Sequence, residues 1–252
     1  MDFSKSQKER YHRNIILDDI GTLGQMKLQE GKVLIIGAGG LGSSAALYLT
    51  AAGIGTIGIA DGDVVELSNL QRQILHSTDD LTRPKVDSAK EKMEAINPET
   101  KIITYNKRVT PDNITEIIGS YDFIIDATDN FESKFLINDA CVLSGKAFSH
   151  GGILEFEGQA MTHIPKEACF RCIFEGAPPE APQAGVLGAV AGMLGTVQAA
   201  EAIKYVLGMG ELLVNRILTV NTLQMDFRIR PVRKNADCPV CGTNPTITKL
   251  GM

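Results

Sequence analysis

Four short apolar runs frame the first half of the chain. Residues 32–36 (KVLII) end at Gly37, and 56–60 (TIGIA) end at Asp61; residues 101–105 and 123–126 continue the series. Near-continuous apolar runs of this length predict strands buried on both faces of a parallel sheet. Helical stretches separate them. Residues 41–52 are rich in Ala and Leu, with Gly53 as a cap. Residues 85–96 stop at Asn97-Pro98, 113–119 form a short helix, and 130–144 a longer one. Residues 1–30 are polar with apolar positions at helical spacing, which predicts a helical segment.

The texture changes near residue 147. Residues 147–165 alternate and carry glycines, predicting antiparallel strands, and 216–230 read as one more strand. Residues 175–183 are rich in Pro, Ala and Glu and predict a mobile loop. Residues 186–207 predict a long helix studded with Gly188, Gly192, Gly195 and alanines, suited to tight helix–sheet packing or to a subunit interface. The fold class is α/β: a Rossmann-like, mostly parallel sheet with flanking helices, extended by antiparallel strands. No hydrophilic linker or repeat appears. We expect one domain over 1–252, with an N-terminal helical segment (1–30), a first half at 31–146 and a second at 147–252.

Composition narrows the partners. The 252 residues are 44% hydrophobic with a net charge of −5 and no long basic run. That argues against non-specific nucleic-acid binding, which relies on clustered cations. The N-terminus lacks the apolar core of a signal peptide, and the most apolar stretch, 185–200, is shorter than a span of ~20 residues. A cytoplasmic protein with no membrane contact is expected.

Gly37-Ala38-Gly39-Gly40-Leu41-Gly42 matches G-x-G-x-x-G between a strand and a helix. Its glycines permit a tight turn, close approach to phosphate, and packing of helix on strand; the helix N-terminus offers free N–H groups to an anion. Asp61, at the end of the next strand, sits where an acid would bond a ribose hydroxyl. The motif implies a nucleotide without naming it, and dehydrogenases share it. Arg72 and Lys85 are the cations a triphosphate calls for, with Mg²⁺, or else two solvated surface residues. Asp129 follows a strand whose carboxyl end faces the same crevice, and suits either Mg²⁺ binding or a helix N-cap shared with Asn130. Cys169-x-x-Cys172 and Cys238-x-x-Cys241 suit a structural Cys₄ zinc site tying the C-terminal segment to mid-chain, with disulfides or redox pairs as alternatives. Cys141 reads as a core residue.

Together these segments resemble the ThiF/MoeB/HesA family, prokaryotic relatives of ubiquitin-activating enzymes. The likeness runs through Arg10-Tyr11-His12-Arg13, Gly37 to Gly42, Asp61-Gly62-Asp63, the Leu67 to Gln73 segment LSNLQRQ, Pro84-Lys85, Thr128-Asp129-Asn130, both cysteine pairs and Ala184-Gly185-Val186. It implies ATP and Mg²⁺ as cofactors beside Zn²⁺, and attack of a carboxylate on the α-phosphate. By position it implies nucleotide contacts from Gly37, Gly39, Gly40, Gly42, Asp61, Asp63, Ser68, Asn69, Gln71, Arg72, Lys85, Asp129 and Asn130. Asp129 would bind Mg²⁺, and Arg13 would reach the γ-phosphate from the neighbouring subunit of a homodimer. The implied activity is an adenylyltransferase acting on a ubiquitin-like sulfur-carrier protein ending in Gly-Gly, in molybdopterin- or thiamine-type sulfur transfer. The alternative is a carboxylate on a small cofactor precursor or peptide; a zinc-stabilised, non-catalytic binding module is a different class again. Many relatives carry a cysteine where Ala181 stands. Alanine forms no thioester or persulfide, so either the enzyme stops at the adenylate or the alanine has been substituted for a cysteine.

Overall fold

The computed structural model describes residues 3–176 and 185–251. Ala181 and Ala184 lie outside them, as does most of the loop expected at 175–183. Three short helices open the chain: α1 (Lys5–Arg10), α2 (His12–Ile15) and α3 (Gly21–Glu30). One continuous helical segment was expected over 1–30. The break comes at Tyr11, whose buried side chain packs beneath the core instead of following a helical face.

An eight-stranded sheet follows, in the order β3-β2-β1-β4-β5-β6-β7-β8. Its parallel part comprises β1 (Lys32–Ile36), β2 (Thr56–Ala60), β3 (Lys101–Tyr105), β4 (Phe123–Asp126) and β5 (Ala147–Leu154). The antiparallel part adds β6 (Glu157–His163), β7 (Arg216–Asn221) and β8 (Asp226–Pro231). Residues 216–230 thus form a hairpin where one strand was expected, because Asn221 accepts from the N–H groups of Leu223 and Gln224 and turns the chain. β5 pairs with both parts, so the sheet runs unbroken across residue 147.

Alternate residues of β1 serve opposite faces. Val33 and Ile35 pack with α3, α4 (Gly40–Ala52), α5 (Lys85–Ile96) and α8 (Gly188–Leu207). Leu34 and Ile36 pack with α6 (Ile114–Gly119), α7 (Phe131–Leu143) and the buried Cys141. A strand buried on both faces needs a continuous apolar run, as KVLII supplies. Two of the three helix glycines of α8 serve packing within the chain: a Cβ on Gly195 would strike the carbonyl of Leu41 in α4 and one on Gly188 the carbonyl of Gln71, while Gly192 faces open space among the described residues. Among the described residues, no helix is long and apolar enough to cross a membrane.

Candidate functional site

Strand order reverses between β1 and β4, and the crevice at such a switch point is where open α/β sheets bind ligands. The Gly37–Gly42 loop crosses there. Gly37 has φ of +104°, and a Cβ on it would sit 2.7 Å from the carbonyl oxygen of Ala127. A Cβ on Gly42 would strike the carbonyl of Gly37. Only glycine permits this closeness. No side chain caps α4, so its first N–H groups face the crevice. The Oε1 of buried Gln73, whose side chain lies beside Gly39, finds no partner among the described residues. The uncapped helix end fits a phosphate chain, whereas the Gln73 oxygen, an acceptor, is left for a hydrogen-bond donor.

Asp61 ties this loop to β2. Its Oδ2 accepts from the N–H of Ala38 (2.8 Å) and its Oδ1 from the N–H of Asp63 (2.8 Å). Each carboxylate oxygen keeps a lone pair for a further donor. Lys85 opens α5 after Pro84, with its side chain 7% exposed, 3.2 Å from Asp63 and 4.0 Å from Asp61. It is therefore not a solvated surface cation. Arg108 pairs with Asp63 at 2.9 Å. Burial opposes ionisation of Asp63, but the Arg108 hydrogen bond and the Lys85 charge outweigh it and hold the carboxyl below its usual value. Behind the loop, His76 joins the carbonyl of Ala38 (3.0 Å) to Ser88 of α5 (2.9 Å), and burial lowers its pKa.

The LSNLQRQ segment forms a 3-10 turn at Leu67–Asn69. Asn69 accepts from the N–H groups of Arg72 and Gln73 through its carbonyl. The half-buried Arg72 donates to the carbonyl of Ser68 at 3.2 Å and lies against Gly40. Among the described residues it pairs with no carboxylate, so its charge is free for an anion. Gln71 donates to the carbonyl of Val186 (3.5 Å), linking the crevice to the approach to α8.

Across the crevice, Asn130 caps α7 by accepting from the N–H of Ser133 at 2.9 Å. That settles the N-cap question in favour of Asn130. The exposed carboxylate of Asp129 is left with a 3.4 Å contact from the Asn130 amide and the nearby charge of Arg108. An oxygen donor of this kind fits a hard divalent cation.

The four paired cysteines converge, with all four Sγ atoms within 4.8 Å of one another. Cys169 and Cys238 are 3.7 Å apart, Cys172 and Cys241 3.4 Å. Tetrahedral zinc with Zn–S near 2.3 Å demands Sγ separations of about 3.8 Å, so this donor set fits zinc. The knuckle is anchored to α7: Arg171 grips Asp139 with two bonds, and Asn138 accepts from the N–H of Phe170.

Arg13 is not part of this assembly. It is exposed on α2, beside Tyr11, which packs on Gly53 at the far end of α4. Thirteen residues of helix separate that end from the loop, about 20 Å at 1.5 Å per residue. Sequence reasoning also passed over Arg108, Gln73 and His76. Gln73 closed the LSNLQRQ segment without being given a role, while nothing local marks Arg108 and His76, which become notable only through what they touch. Asp126, by contrast, stood in the same D-A-T-D-N motif as Asp129.

A profile of the ThiF family matches residues 11–240. The SAMP-activating enzyme E1 of Haloferax volcanii is 43% identical, over 94% of this chain and 90% of the relative. The sulfur carrier protein adenylyltransferase of Thermus thermophilus is 41% identical, over 99% and 96%. Among solved structures, E. coli MccB with MccA-N7isoASN shares the fold at a TM-score of 0.83 and 23% identity, over 96% of this chain and 76% of that one.

Proposed function

Because the chain belongs to the ThiF family, we propose that it adenylates the C-terminal carboxylate of a ubiquitin-like sulfur-carrier protein. The observation that carries this reading is one crevice combining an uncapped helix N-terminus, an unpaired Arg72, a buried Lys85 and a free Asp129 carboxylate. A carboxylate oxygen of the substrate attacks the α-phosphorus of ATP, the α–β phosphoanhydride breaks, and pyrophosphate leaves. The nucleophile is already ionised near pH 7, so no general base is needed. What remains is positioning and charge neutralisation.

The Gly37–Gly42 loop and α4 hold phosphate, and Asp61 takes the ribose on its spare lone pairs. Asn69, Arg72 and Lys85 balance the charge of the leaving pyrophosphate, with Ser68 and Gln71 shaping the wall. Asp129 would hold Mg²⁺, which would supply further neutralisation of the phosphate charge. Arg13, too far from its own crevice, would serve the neighbouring subunit of a homodimer. Cys169, Cys172, Cys238 and Cys241 would hold zinc in a structural role, because four protein thiolates would leave it no open position. Reduced thiolates and an ATP supply both suit the cytoplasm.

A protein substrate is favoured by an apolar surface. Leu154, Phe156, Leu223, Met225, Phe227 and Ile229 are each at least 40% exposed. They lie at the end of β5, on β8 and on the two adjacent turns, where the carbonyl of Phe156 accepts from Thr222. Glu155 bridges to Val186, which in turn touches Gln71, so the patch adjoins the crevice. A small carboxylate needs no such surface; a folded carrier with an extended tail does.

The test is ATP–pyrophosphate exchange with carrier proteins ending in Gly-Gly beside a panel of small carboxylates and peptides. Exchange should depend on a carrier, and Phe227→Asp should raise the carrier KM about tenfold while leaving the KM for ATP unchanged. Exchange driven by a small carboxylate or peptide, with every carrier silent, assigns the substrate to that class instead. No exchange with any acceptor refutes adenylation and leaves a nucleotide-binding module.

A further inference from the structure

Beneath the turn that carries Asp129 lies a sealed group of ionisable side chains. Asp126 ends β4 and is 1% exposed; Lys134 of α7 and His150 of β5 are 6% and 1% exposed. The Oδ2 of Asp126 accepts from Lys134 Nζ (3.1 Å) and His150 Nδ1 (3.1 Å). Its Oδ1 accepts from the N–H of Thr128 (3.1 Å) and from the Thr128 hydroxyl (2.6 Å). Lys134 also donates to the carbonyl of Gly151 (2.6 Å). The side chain of Gln198 on α8 donates to the carbonyls of Asp126 (2.8 Å) and Ser149 (3.0 Å).

Taking charges out of water is costly, and a buried ion pair is on average no more stabilising than apolar residues of the same volume. Stability alone is therefore a poor reason for this arrangement. Its geometry suggests another. β4 supplies the carboxylate, α7 and β5 each send a group into it, α8 grips the same residue's backbone, and the carboxylate's remaining oxygen accepts twice from Thr128. The turn is hemmed in on its other sides. Ala127 abuts Gly37 of the phosphate loop, and Asn130, the next residue after Asp129, is committed to capping α7. Residues 127–130 thus have little room to move, and Asp129 projects from the middle of that stretch.

We propose that Asp126, held by Lys134 and His150, is a positioning residue for Asp129, and that the Thr128 hydroxyl transmits its hold to the turn. The proposal rests on the reading of Asp129 as the ligand of the divalent cation that accompanies ATP. None of the three buried residues is assigned a contact with the nucleotide; they act through the aim of Asp129.

Thr128→Val removes the hydroxyl donor at nearly constant shape, and Thr128→Ser restores it. Binding of Mn²⁺ to the protein saturated with a non-cleavable ATP analogue, followed by electron paramagnetic resonance, reads cation affinity without turnover. Thr128→Val should weaken Mn²⁺ about tenfold, within the range seen when supporting partners of metal ligands are lost. It should melt about 3–10 °C lower, since it loses a hydrogen bond to a buried carboxylate, and Thr128→Ser should recover that loss. Thr128→Ser should bind as the native chain does, and Asp129→Asn should abolish binding. Native affinity in Thr128→Val overturns the proposal while leaving Asp129 as ligand. Equal losses of affinity and melting temperature in Thr128→Val and Thr128→Ser also overturn it, making the group a stability element. Native affinity in Asp129→Asn overturns the metal assignment itself, and the proposal with it.

Discussion

Replacing Cys238 and Cys241 together with serine would release the C-terminal segment from mid-chain. Cys169 and Cys238 are 69 positions apart, and their Sγ atoms are 3.7 Å apart. A cross-link closing a loop of that length restricts the unfolded chain by about 4 kcal/mol at 25 °C on the chain-entropy account. Zinc on all four thiolates would act as such a cross-link to the extent that the thiolates keep it in the unfolded chain, and through its binding energy where they release it. For a chain of this size about 1 kcal/mol corresponds to roughly 2–4 °C, so the variant should melt about 10–15 °C lower. The loss should be partly masked by residual packing of Val240 and Cys169, which share a small buried cluster. The assay is differential scanning calorimetry of native and doubly substituted protein, with zinc measured by elemental analysis. Native protein should hold one zinc per chain, and a strong chelator should move its melting temperature to that of the variant. A reductant alone should do nothing, which separates the metal from disulfides. Native protein free of zinc, or a variant melting within about 2 °C of native, would refute the reasoning.

Lys85→Met should lower the exchange rate about 10²-fold or more, as loss of one preorganised positive group does. Its stability cost should stay near 1 kcal/mol, because Arg108 still pairs with the half-exposed Asp63; an unchanged exchange rate sinks the assignment. Arg13→Ala and Asp129→Ala should each be inactive alone. Mixed and re-equilibrated, they should recover about a quarter of native activity, since half the dimers carry one complete site; no recovery means that Arg13 does not act across subunits. His150 gives a pH dependence. Burial first, and the Lys134 charge second, push its pKa from 6.5 down to about 4 in the fold. The unfolded chain therefore binds the proton first, so stability is full above pH 6.5 and falls as pH drops toward 4. By pH 5 the loss from His150 is about 2 kcal/mol, and His150→Gln should reduce the slope in urea titrations at pH 7 and 5, leaving the part that His76 and His163 contribute. Equal slopes in both proteins would count against it.

How much was legible beforehand follows from the range of each interaction. The parallel strands, their helices and the loop at Gly37 were written locally: KVLII must be buried on both faces, and G-A-G-G-L-G suits only a strand-to-helix turn. The two C-x-x-C pairs announced a common four-thiol cluster able to hold a metal, because thiolates in such spacing suit one tetrahedral site. Only the tertiary structure decided that Asn130, not Asp129, caps α7, since both residues have the right chemistry and only the backbone angles choose. The break at Tyr11 was hidden because Asn97 and Gly53, which receive the ring, lie far along the chain. The hairpin at Asn221 was hidden because 216–230 alternates through its turn. Arg108 and the Asp126–Lys134–His150 group were hidden for the same reason. Their charges gain meaning only when distant segments meet out of water, where an unpaired charge is costly and a paired one fixes geometry.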